Sequence, residues 1–79
     1  MHVQTYFDSK LVHHGFADCE PVYQNIDINT PCGKDCKRII DAAATLIAGI
    51  ELAHGYREKA FIMEVIKQTQ NSVRCYVNG

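Results

Sequence analysis

Along residues 2–8 the chain alternates, with Val3, Thr5 and Phe7 falling opposite Gln4, Tyr6 and Asp8. A period of two in β-forming residues predicts a strand. Asp8-Ser9-Lys10 then predicts a turn, and residues 11–16 a return strand closing at Gly15. Residues 17–21 form a short acidic link. Val22, Gln24, Ile26 and Ile28 share one face, with Tyr23, Asn25 and Asp27 on the other, which predicts a third strand of an antiparallel meander.

After residue 30 the period lengthens. Asn29 or Thr30 offers a capping oxygen, and Pro31 suits a first helical position, where no amide donor is needed. Gly33 is a poor residue for a first turn, so residues 30–34 read as a loop. The helix then begins at Lys34 or Asp35 and runs to about His54, with Gly55 as its stop. Ile39, Ala43, Leu46, Ile47 and Ile50 form a stripe at helical spacing, while Ala42, Thr45, Ala48, Gly49 and Leu52 face the other way. Across residues 42–50 no face is polar. A helix of that kind is covered on both sides, by the next helix or by a second copy of the chain. Ala42, Leu46, Ala48 and Gly49 are thus core or homodimer positions. Residues 56–70 predict a second helix, with Phe61, Ile62, Val65 and Ile66 at helical spacing, ended by Asn71-Ser72; the alternative is a strand with Phe61, Met63 and Val65 on one face, which puts Ile62 and Ile66 on the other. Residues 73–77 alternate again and predict a last strand. The sum is an α/β (α+β) domain over residues 1–79: a small antiparallel sheet of three to four strands with two helices packed on one face.

Composition narrows the function without naming it. The chain has 79 residues, 22% of them charged, and a formal net charge of −1. That length holds one small domain, and that balance argues against a generic nucleic-acid binder. Residues 1–8 carry no basic and apolar leader pattern. The longest uncharged apolar stretch, residues 42–50, is far shorter than the roughly 20 residues of a spanning helix. The expected place is the cytoplasm of the producing or infected cell, with no membrane contact. There Cys19, Cys32, Cys36 and Cys75 are expected as thiols or metal ligands. Charge is uneven: residues 1–29 set Lys10 against Asp8, Asp18, Glu20 and Asp27, and residues 55–79 set Arg57, Lys59, Lys67 and Arg74 against Glu58 and Glu64.

Chemistry concentrates at Cys32-Gly33-Lys34-Asp35-Cys36. The spacing puts both sulfurs on one side of a helical turn, where the dipole, Lys34 and Lys37 would favour thiolates. Reactive thiols, half of a zinc site and buried core thiols are the three readings. A structural zinc needs four ligands, to be drawn from Cys19, Cys75, His13 or His14. His13 and His14 point to opposite faces of a strand, so at most one joins. The segment lacks the glycine spacing and Lys-Ser/Thr of a phosphate loop. Lys34, Lys37 and Arg38 nevertheless place three cations where a helix dipole disfavours them. Contact with an acidic partner or a phosphate would offset that cost, and so equally would Asp35 and Asp41; with Arg57 and Lys59 the three are the candidate contacts for an acidic partner.

The run Glu20-Pro21-Val22-Tyr23-Gln24-Asn25-Ile26-Asp27-Ile28, the Gly/Cys-containing segment 31–36, the small-residue helix Asp41-Ala42-Ala43-Ala44-Thr45-Leu46-Ile47-Ala48, Gly55 and the second helix follow in order. Over residues 20–66 this resembles the TSCPD-type domain, found at the end of some ribonucleotide reductases and as small separate proteins. The Thr-Ser-Cys-Pro-Asp motif itself is absent, and only Cys75 stands near its place. The resemblance implies an accessory module linked to ribonucleotide reductase, without catalytic residues of its own. In size and type alone, the chain is also similar to small phage-encoded inhibitors of larger host machines, anti-CRISPR proteins among them. The expected function is therefore non-catalytic binding to a larger protein or nucleoprotein partner, as a viral inhibitor or accessory subunit. A small zinc module on Cys32 and Cys36 is the alternative.

Overall fold

A computed structural model describes residues 1–11 and 26–78, with only the backbone described for Tyr56 and residues 74–78. Among the described residues three helices follow in order: α1 (Val3–Lys10), α2 (Pro31–His54) and α3 (Lys59–Asn78). A 3₁₀ turn, Gly55–Glu58, joins the last two. Among the described residues there is no strand, so the α/β expectation is corrected to an all-α fold. Among the described residues of the predicted meander, one isolated antiparallel bridge joins His2 to Asp27. It is made by Val3 N–H donating to Ile26 O (2.8 Å) and Ile28 N–H donating to Met1 O (2.9 Å). Residues 12–16 of the return strand, the link at 17–21, and residues 22–25 lie outside the described residues.

The reason for the change is visible in the spacing of the buried residues. Val3, Phe7 and Leu11 are fully buried and lie four apart, which is one helical face. On α2 the buried positions are Gly33, Cys36, Ile40, Ala43 and Ile47. On α3, Ile62, Ile66, Thr69 and Val73 are buried. Spacings of three and four on both helices build the seam of an antiparallel helical hairpin. α1 lies against the same core. Thr69 sits in the seam as a polar residue, its hydroxyl donating to Val65 O at 2.7 Å.

α2 starts earlier than expected. Thr30 is the N-cap and Pro31 is the first helical residue. The Thr30 hydroxyl accepts from Gly33 N–H (3.0 Å) and donates to Asp27 O (2.7 Å). Gly33 is inside the helix because a Cβ there would lie 2.0 Å from Asp27 O. Close approach to a main chain, not a loop, is what the glycine serves. The predicted stop at Gly55 is found, with φ of 63° and ψ of −146°. α3 begins at Lys59, inside the predicted second helix, but runs through Asn71-Ser72 and absorbs the predicted last strand. Asn71 and Ser72 are exposed, so their weak helix propensity does not interrupt the seam.

Covering of α2 is one-sided among the described residues. Ala42, Thr45, Leu46, Ala48, Gly49 and Leu52 are exposed, Leu52 at 91% and Leu46 at 51%. Leu46, predicted in the core stripe, is outside it. Its place is taken by Ile40, which falls one turn from both Cys36 and Ala43. No helix among the described residues is long and apolar enough to cross a membrane.

Candidate basic site at the start of α2

The first turns of α2 and the adjoining face of α1 enclose an open depression of about 430 Å³, lined by Met1, Tyr6, Ile28, Asn29, Lys34, Lys37 and Arg38. The spacing of Lys34, Lys37 and Arg38 along α2 places all three cations on one side of the helix. The bridge of residues 1–3 to 26–28 brings Met1 and Ile28 to the rim. α1 supplies Tyr6.

Tyr6 is the hub of the polar contacts. Its hydroxyl donates a short hydrogen bond to Asp41. Lys37 Nζ donates to the other carboxylate oxygen of Asp41 at 2.8 Å. Lys37 and Lys10 stand over the Tyr6 ring, 5.4 and 5.6 Å from its centroid, within cation–π range. Burial first, and then the Asp41 carboxylate, push the Tyr6 phenol up. Burial alone would raise Asp41, but the hydrogen bonds from Lys37 and Tyr6 hold it below its ordinary value. The same bond to Asp41, then Tyr6, holds Lys37 up. All three therefore keep their usual charge states at neutral pH.

The cations differ in how they are held. Lys37 is fixed by Asp41. Arg38 meets Asp35 at 3.3 Å with its side chain 79% exposed, a loose surface pair worth little. Lys34 has no ion pair among the described residues. The patch thus carries three cations against two aspartates, and the cations that reach outward are Lys34 and Arg38.

The other sequence candidates separate from this patch. Arg57 and Lys59 follow the far end of α2, about 30 Å along the axis from Lys34, so the five expected partner contacts do not form one surface. Cys36 is fully buried in the core and Cys32 half-buried beside it. Burial first, then the Cys32 thiol and the Asp35 charge, push the Cys36 thiol up to about 11. The helix dipole and the lysines do not activate it, which is the behaviour of a core thiol. No group of three or more potential metal ligands occurs among the described residues. Cys19, His13 and His14 lie outside them, as does the side chain of Cys75. Tyr6 and Ile28 are missed because residues 2–8 and 22–28 read as strands, Asn29 reads only as a capping candidate, and Met1 carries no signal in the sequence. The pairing of Lys37 with Asp41 was readable from their separation of four. The contact of Tyr6 with Asp41, 35 residues apart, was not.

Comparison with family models, with curated proteins and with solved structures finds no match to this chain.

Proposed function

We propose that this chain is a small non-catalytic binding protein that acts on a larger protein partner through the basic depression at the start of α2, as an inhibitor or accessory subunit working in the cytoplasm. The observation that supports this reading is the gathering of Lys34, Lys37 and Arg38 around one open depression. Lys34 stands in the first turn of α2, where a cation costs a few tenths of a kcal/mol. Lys34 has no ion pair among the described residues to offset that cost, and a residue that breaks a local rule in this way is expected at a functional site. Among the described residues the depression holds no nucleophile paired with a base, and Tyr6, Lys37 and Asp41 keep their ordinary charge states at neutral pH. It supplies charge and shape, which serve recognition.

The test is partner capture with matched variants. Lys34→Glu/Arg38→Glu leaves the Lys37–Asp41–Tyr6 contacts in place, and Arg57→Glu/Lys59→Glu changes the far end. Both variants are checked for helix content first. A partner retained by the wild type and by the Arg57/Lys59 variant, but lost by the Lys34/Arg38 variant, is the expected result. Equal retention by all three would remove the basic depression from the function.

A further inference from the structure

We infer that the occupant of the depression is an acidic segment of a protein partner in extended conformation, with carboxylates at alternate positions and an apolar side chain beside them. This rests on the binding-protein reading and names the chemistry of its partner. The first ground is charge. Lys34, Lys37 and Arg38 exceed Asp35 and Asp41 by one. That surplus is modest, and it resides on Lys34, which lacks an ion pair among the described residues, and on the exposed Arg38. It is divided between two side chains one helical turn apart and is not focused into a clamp for one doubly charged group.

Spacing is the second ground. Lys34 and Arg38 are four residues apart, about 6 Å along the helix axis. Carboxylates two apart on an extended chain are about 6.6 Å apart and lie on one side of it. The third ground is the mixed lining. Met1, Tyr6 and Ile28 give the depression an apolar side next to its cationic rim. Its volume of about 430 Å³ lies within the range of clefts that bind small ligands or short side-chain clusters.

A nucleic-acid backbone fits less well. Phosphate binding uses cations spread along a track. Beyond Arg38 the helix carries Asp41 and then no charge until Glu51, and Arg57 and Lys59 stand at the opposite end.

The experiment follows backbone amide resonances of the whole chain during titration with a capped peptide, Gly-Leu-Ser-Glu-Ser-Glu-Gly, which keeps the leucine and both glutamates on one face of an extended chain. Three comparison ligands are used: the same peptide with lysine for glutamate, the same peptide with serine for leucine, and a short DNA duplex. The expected result is saturable shifts at Ile28, Asn29, Lys34 and Arg38 with the acidic peptide. Affinity should fall about tenfold or more with Lys34→Glu/Arg38→Glu, and weaken as salt rises. The lysine peptide should give no shifts at these residues, and the serine peptide should bind more weakly. Three outcomes overturn the inference. Shifts with the duplex alone transfer the site to phosphate chemistry. Equal binding of the serine and leucine peptides removes the apolar anchor. No shift with either the acidic peptide or the duplex leaves the site without this occupant. The capture experiment judges the binding-protein reading separately, since a partner lost by the Lys34/Arg38 variant supports that reading even if no peptide binds.

Discussion

A methyl group on Gly33 would sit 2.0 Å from the main-chain oxygen of Asp27 and 2.7 Å from Cα of Ile28. Neither is the end of a flexible side chain, so the helix start would have to move off the 26–28 segment. Gly33→Ala is therefore expected to destabilise by about 1–3 kcal/mol or more, although alanine is the better helix former. Urea unfolding of the two chains measures it, and equal midpoints would show that the approach is looser. Lys34, one residue on, makes the opposite prediction. Lys34→Glu removes a cation from the positive end of α2 and should raise stability by about 0.3–1 kcal/mol, while weakening partner capture. A change in the same direction for both would mean that the lysine is structural. Cys36 links the same turn to pH. Its thiol lies at about 11 in the fold against an ordinary 9.0. Between those values the unfolded chain has lost the proton and the folded chain has kept it. The contribution is thus fully present below about pH 9 and is lost as pH rises toward 11. Unfolding midpoints compared at pH 8 and 10 should fall more for the wild type than for Cys36→Ala.

At the scale of the elements, α2 depends on two caps. Thr30 satisfies Gly33 N–H and ties the helix start to Asp27 O. Thr30→Ala should cost about 1 kcal/mol and Thr30→Ser much less, read by thermal melting. Gly55 holds the hairpin turn at φ 63°, ψ −146°, backbone that is close to glycine-only. The body of α2 and the glycine stop were legible because a stripe at helical spacing and Gly55 have no strand equivalent. α1 was not, and the reason is arithmetic. Val3 and Phe7 are four apart, an even number that is also close to one helical turn, so they share a face in a strand and in a helix alike. Only Leu11 decides, by continuing the series into the core. Val73 has the same ambiguity. It heads an alternating run, yet it also continues the Ile62, Ile66, Thr69 series. Local propensity reads Asn71-Ser72 as a break, but tertiary packing carries α3 across it because both residues face outward. The candidate site was half legible for the same reason. Its cations lie on the helix that could be read, and its apolar side on segments that were read as strands.

For the molecule as a whole, the open question is what the uncharged outer face of α2 does. Ala42, Thr45, Gly49 and Leu52 repeat at spacings of three and four on the side away from α3, a second seam parallel to the inner one. A homodimer through it was an expectation from sequence, and area sets its strength. Residues 42–53 span about 18 Å of helix, and one helix face of about 10 Å width offers a small part of the roughly 800 Å² per partner of a standard interface. The chain should therefore sediment as a monomer at micromolar concentration, with any association confined to much higher concentration. Gly49 separates the two states. A Cβ there meets nothing within 4 Å, so in a free monomer Gly49→Ala gains helix propensity and should stabilise by about 0.5–1 kcal/mol. If a second helix closes on this face, the glycine is the point of closest approach, and the same methyl group must weaken the assembly. Unfolding and sedimentation of Gly49→Ala across a concentration series thus give opposite signs for the two states. Leu52→Glu supplies the control, since the leucine is 91% exposed: it should leave the monomer's stability unchanged and abolish association if the seam is used. A concentration-independent gain in Gly49→Ala would mean that the chain does not pair with itself through this face of α2.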